Sequence, residues 1–89
     1  MNPPFSVELT TSAFRSLRKL DKPARRRVQE AIDALQHEPR PAGVRALQGQ
    51  PGLCRIRTGD YRIIYVVRDS ELVVLVVDVG HRREIYRNL

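Results

Sequence analysis

Cysteine and histidine are nearly absent from this 89-residue chain: one cysteine, Cys54, and two histidines, His37 and His81. A single cysteine excludes an internal disulfide. So thin a supply of soft and imidazole donors argues against a structural zinc site. Long apolar runs are missing too. The longest, Leu72–Val77, is far too short to span a bilayer. The opening Met1-Asn2-Pro3-Pro4-Phe5 has neither a basic nor an apolar region of the kind a signal peptide needs, so the default compartment is the cytoplasm. There is no Ser/His/Asp triad, phosphate-binding glycine loop, paired catalytic carboxylates or metal-ligand cluster. No cofactor and no metal is expected. Acidic residues are also in short supply, ten against sixteen Lys+Arg, for a net charge of +6.

What is abundant is arginine, fourteen of those sixteen cations. Its planar fork suits bidentate contact with phosphate or carboxylate, so the partner is a nucleic acid or an acidic protein. A chain of this length buries roughly two-thirds of its unfolded surface. That suffices for one domain over residues 1–89 with one modest core.

The hydrophobic pattern divides the chain into a helical first half and an extended second half. Phe5 to Leu9 alternates as a short strand. Thr10, Thr11 and Ser12 offer N-caps to a helix with Phe14, Leu17 and Leu20 at core spacing. Asp21-Lys22-Pro23 begins a second helix, with Val28, Ala31, Ile32 and Leu35 as its apolar stripe and Pro39 and Pro41 ending it. A short linker makes the two an antiparallel hairpin. From Leu53 the period is two: strands over Leu53 to Thr58, Tyr61 to Arg68 and Glu71 to Val79, with turns at Gly59-Asp60 and Asp69-Ser70 and a break at Gly80. The expected fold is α+β, with the order β-α-α-β-β-β. An N-terminal strand and a helix hairpin pack on a three-stranded antiparallel meander, followed by a short C-terminal helix or tail over Arg82 to Leu89. The third strand of the meander is apolar on both faces, so either chain ends or a partner should cover the side the helices leave open.

The chemistry concentrates in that second half. Alternation sets Arg55 and Arg57 on one face and Cys54 and Ile56 on the other, so a core-facing Ile56 turns both arginines away from the helices. Arg62 follows a tight turn, and Arg82 and Arg83 follow the third strand. Convergence of Arg55, Arg57, Arg62 and Arg82 would make a phosphate site, with His81 and Tyr86 at its edge. Such a site suits RNA cleavage by the 2′-hydroxyl. Arginine stabilises the phosphorane but, with a pKa above about 12, is a poor base. Proton transfer then falls to His81 or Tyr86. Each residue also has a plainer reading: arginines as solvated surface, Tyr86 as packing, His81 as a surface residue after a glycine. Arg25-Arg26-Arg27 reads as a solvated helix face, and Cys54, Tyr61 and Tyr65 read as packing.

The segment Leu47-Gln48-Gly49, then Leu53-Cys54-Arg55-Ile56-Arg57-Thr58-Gly59-Asp60-Tyr61-Arg62-Ile63-Ile64-Tyr65, and then Val79-Gly80-His81-Arg82-Arg83-Glu84-Ile85-Tyr86, resembles the RelE branch of the RelE/ParE superfamily of toxins from toxin–antitoxin pairs. The likeness spans nearly the whole chain. It implies a RelE-like microbial RNase fold and a metal-independent endoribonuclease that cuts mRNA in the ribosomal A site. It also implies a cognate antitoxin, through which the complex binds promoter DNA. Arg55 and Arg57 match basic positions that are lysine in the best-known RelE-type toxin. Arg62, Arg82 and Tyr86 match an arginine after a tyrosine, an arginine after a Gly-x pair and a C-terminal tyrosine. Unlike lysine, arginine cannot be tuned toward proton transfer. Either His81 or Tyr86 takes that role, or the rate is low. A ParE-like gyrase inhibitor and a catalytically weak antitoxin-binding relic are the alternatives.

Overall fold

The computed structural model describes residues 4–47, 49 and 52–81. The chain runs β1 (Ser6–Leu9), α1 (Thr11–Lys19), α2 (Lys22–Ala34), β2 (Arg45–Ala46), β3 (Leu53–Thr58), β4 (Tyr61–Arg68) and β5 (Val73–His81). The fold is α+β, as expected, and the sheet is wider than the meander. Its five strands lie in the order β1-β5-β4-β3-β2. β1 adds to the meander in parallel with β5, Val7 facing Val74 and Leu9 facing Val76. A parallel neighbour needs a crossover, and the helix hairpin supplies it.

Local chemistry sets the helix ends. Thr10 caps α1 by accepting a hydrogen bond from the Ala13 N–H at 3.1 Å, and its hydroxyl donates to the Val77 carbonyl at 2.8 Å. One side chain thus starts the helix and ties it to β5. Asp21 caps α2 through the Ala24 N–H at 3.0 Å, with Pro23 in the first turn. α2 ends at Ala34, before the prolines. Tighter bonds, such as Leu35 N–H to the Ile32 carbonyl at 3.0 Å, close its last turn.

The core lies between the hairpin and one face of the sheet. Leu17, Val28, Ile32 and Leu35 meet Ile56, Ile63, Tyr65, Val74, Val76 and Val79. Three expectations change here. Phe14 is half-exposed, with the Arg18 guanidinium 5.7 Å from its ring centre, and Ala13 takes the core place beside Leu17. Leu17 and Leu20 keep their expected places, so the change is confined to the first turn, where the small Ala13 instead of Phe14 faces the core. Gly80 does not break β5. It pairs with Arg62, and the strand continues to His81, because β4 offers hydrogen-bonding partners that far. The strand also starts later, at Val73, since residues 69–72 form the turn and Leu72 has a positive φ of 55°. A register shift at Ile64/Tyr65 offsets β5 by one residue, which keeps both Val76 and Val79 in the core.

On the other face of β5, Val73 and Leu75 stay partly exposed while Val74 and Val76 are buried beneath the helices. Among the described residues, no helix is long and apolar enough to cross a membrane. The expected C-terminal helix or tail, with Arg82, Arg83 and Tyr86, lies outside the described residues.

Candidate nucleic-acid interface

Register alone brings the predicted arginines together. In β3, Ile56 packs into the core, so the pleat turns Arg55 and Arg57 to the opposite face. The Gly59-Asp60 turn folds β4 back so that Arg62 stands directly across from Arg57. Gly59 takes a φ of 59°, which glycine adopts without strain. Beyond Arg62 stands Gly80 on β5, which has no side chain to crowd it. One terminal nitrogen of the Arg62 guanidinium is withdrawn from solvent, whereas Arg57 is exposed.

A fourth arginine joins them from a segment that the sequence pattern left irregular. Val44 is partly buried against the core, as its apolar character suggests, and the next two residues form β2. β2 pairs antiparallel with β3, placing Arg45 directly opposite Arg55. The signal that would have found it is the alternation Val44-Arg45-Ala46, too short to read as a strand.

A cavity of about 600 Å³ gathers these groups. Arg45, Arg55, Arg57 and Arg62 line it; among the described residues Glu38 is its one acid, and Leu35 belongs to its apolar lining. The expectation of an arginine face turned wholly away from the helices is therefore modified. Among the described residues β2 pairs only with Cys54 and Arg55, and the cavity lining joins Ile56 and Arg57 of β3 to Ala31 and Ala34 of α2. Among the described residues, four guanidiniums gather around one carboxylate, which suits a polyanion. A guanidinium has no lone pair for a metal, and among the described residues no cluster could hold one.

The segment between α2 and β2 is anchored at two points. The Tyr65 hydroxyl, fully buried, donates to the Pro39 carbonyl at 2.7 Å. Arg40 grips Asp69 in the β4–β5 turn with two parallel bonds of 3.0 and 2.9 Å. Burial pushes the Tyr65 hydroxyl well above its ordinary pKa, and the hydrogen bonds from Arg40 hold the Asp69 carboxyl below its ordinary value.

His81 is not brought to the arginines. It pairs with Tyr61, their rings edge to face with centres 6.0 Å apart. Tyr61 packs against the core, so alternation puts His81 on the face opposite Arg62 and Gly80. The extension of β5 past Gly80 is the reason: a strand that continues must send alternate residues to alternate faces. Arg82, Arg83 and Tyr86, the other predicted site residues, lie outside the described residues.

Residues 7–86 match the model of the family described as ParE toxin of type II toxin-antitoxin system, parDE. The chain is similar to the toxin RelG of Mycobacterium tuberculosis, 35% identical over 85 residues that cover 94% of this chain and 98% of the relative. It is similar at 29% identity over 86 residues, 92% of this chain and 90% of the relative, to a protein of Escherichia coli named mRNA interferase toxin RelE. Its fold is similar to that in the crystal structure of the archaeal RelE–RelB complex from Pyrococcus horikoshii OT3. The TM-score is 0.78 at 31% identity, covering 91% of this chain and 98% of that one.

Proposed function

Since the chain belongs to the RelE/ParE superfamily as a RelE-type toxin of type II toxin–antitoxin systems, we propose that it is a metal-independent endoribonuclease that cuts mRNA in the ribosomal A site. The observation that carries this reading is the cavity lined by four arginines. The 2′-oxygen attacks the adjacent phosphorus, the P–O5′ bond breaks, and a 2′,3′-cyclic phosphate and a 5′-hydroxyl remain. Arg57 and Arg62, directly opposite each other, take the charge of the phosphorane. Arg55 holds the same strand of RNA, and Arg82 and Arg83 complete the binding set. The proton leaving the 2′-oxygen and the proton reaching the 5′-oxygen need a titratable group beside the arginines. His81 stands on the other face with Tyr61, which favours Tyr86 for that role.

A cognate antitoxin covers the partly exposed Val73 and Leu75 on the open face of β5 and reaches toward the arginine cavity, and promoter DNA is bound only through it. Relatives from Pyrococcus horikoshii and Mycobacterium tuberculosis, at 31% and 32% identity, were solved as toxin–antitoxin complexes, which supports such a partner. The test is primer extension on mRNA in a reconstituted translation system, with and without ribosomes, using wild type and Arg62→Ala. Cleavage that needs both ribosomes and Arg62 is expected, with a loss on the order of 10²-fold in the variant. The matched family's ParE description keeps gyrase inhibition as the second reading. No cleavage together with inhibited supercoiling would establish that reading, and inactivity in both assays would leave an antitoxin-binding relic.

A further inference from the structure

The sheet face that carries the cavity holds two arginine pairs in succession: Arg45 opposite Arg55, and Arg57 opposite Arg62. Like charges directly opposite each other on neighbouring strands destabilise a sheet. Two such rungs in a row line one cavity, an arrangement suited to a bound polyanion. Rungs two residues apart along β3 are about 7 Å apart. Neighbouring phosphates of an extended single strand match that spacing.

We infer that Arg45 is an RNA-binding residue, and that the Arg45–Arg55 rung holds the phosphate next to the one gripped by Arg57 and Arg62. The inference rests on the RNA-cleaving reading for the identity of the scissile phosphate. It explains why a two-residue strand is worth keeping: β2 sets one cation opposite Arg55. The buried bond from Tyr65 to Pro39 and the Arg40–Asp69 pair hold the segment that leads into it. Arg45 is exposed and is not part of the core, so its removal should leave the fold intact.

The experiment measures binding of the full chain to a single-stranded RNA oligonucleotide whose 2′-hydroxyl at the cleavage position is replaced by 2′-deoxy, across a range of salt. Arg45→Ala should weaken binding roughly tenfold at low salt and reduce the slope of log K against log salt by about 0.7. Arg45→Lys should recover most of the slope. A neutral methylphosphonate is then placed one linkage to either side of the blocked position. On one of the two oligonucleotides the effect of Arg45→Ala should disappear, because the phosphate it contacts no longer carries charge. In single-turnover cleavage on ribosomes, the variant should need more enzyme for half-maximal rate and reach the same limiting rate. An unchanged salt slope in Arg45→Ala overturns the inference. So does an effect that survives on both neutral-linkage oligonucleotides. Wild-type protein that binds RNA with the predicted Arg45 dependence and yet does not cut it refutes the nuclease reading and leaves the two-rung site standing.

Discussion

Replacing Arg57 by threonine should make the free protein more stable and less active. Arg57 faces Arg62 across β3 and β4. Cross-strand pairs are worth about 0.2–1 kcal/mol, and a like-charge pair acts against the fold on that scale. Arg57 is solvent-exposed, so screening places the gain in the lower half, about 0.5 kcal/mol. Threonine keeps the β-branched character that a strand favours. In a domain of this size 1 kcal/mol moves Tm by about 4–8 °C, so the expected rise is about 2–4 °C. The measurement is thermal denaturation by circular dichroism at low salt and again near 1 M salt. There the screening length falls to about 3 Å and the rise should vanish. Arg57→Lys, which keeps the charge, should show no rise. The same threonine variant should lose cleavage on the order of 10²-fold. A fall of about 3 °C or more at low salt would refute the reasoning, by showing that the Arg57 stem packs more than its charge repels. A rise that persists in high salt would refute it differently, by tracing the gain to strand propensity.

Three further outcomes follow from the anchors of the fold. Tyr65→Phe strands the Pro39 carbonyl in a buried site, so urea denaturation should show a loss of about 1–3 kcal/mol, and a loss below about 0.5 would show that water replaces the hydroxyl. Because burial raises the Tyr65 pKa in the folded state, its contribution is full below the unfolded value of about 10 and declines as pH rises beyond it; the phenylalanine variant should lack that alkaline decline. The Asp69 carboxyl is held low by Arg40, so its contribution is present above the unfolded value of about 3.9 and is lost as pH falls through the folded one; Asp69→Asn should flatten the acid limb of stability, and an unaltered limb would place acid sensitivity elsewhere. Thr10→Ala removes the cap of α1 and the bond to Val77 together, for an expected loss of about 1–2 kcal/mol in the same denaturation assay, and a loss of a few tenths would show that another group caps the helix.

Strand periodicity, helix caps and turn glycines are local properties, and they were legible. Thr10 and Asp21 cap the two helices, and the strands at Leu53–Thr58 and Tyr61–Arg68 have the expected bounds. The Arg57–Arg62 pairing was legible too, because a tight turn at Gly59-Asp60 fixes the register of the residues beside it. Phe14 misled because hydrophobicity shows which residues prefer burial, not which face of a short helix meets the sheet. The small Ala13 faces the core in its place.

The sequence by itself determined the arginine-rich charge, the α+β order and the alternation that turns Arg55 and Arg57 away from Ile56. Each of those follows from composition or from neighbours a few residues apart. Tertiary structure alone decided the rest. Arg45 enters the site because β2, a segment too short to show a period of its own, adds to the edge of β3. His81 leaves it because β5 does not stop at Gly80, and whether a strand stops depends on the hydrogen-bonding partners its neighbour β4 provides. Strand addition and strand extension are long-range events. Their energy lies in backbone bonds to another segment, and no residue type in the segment itself announces them.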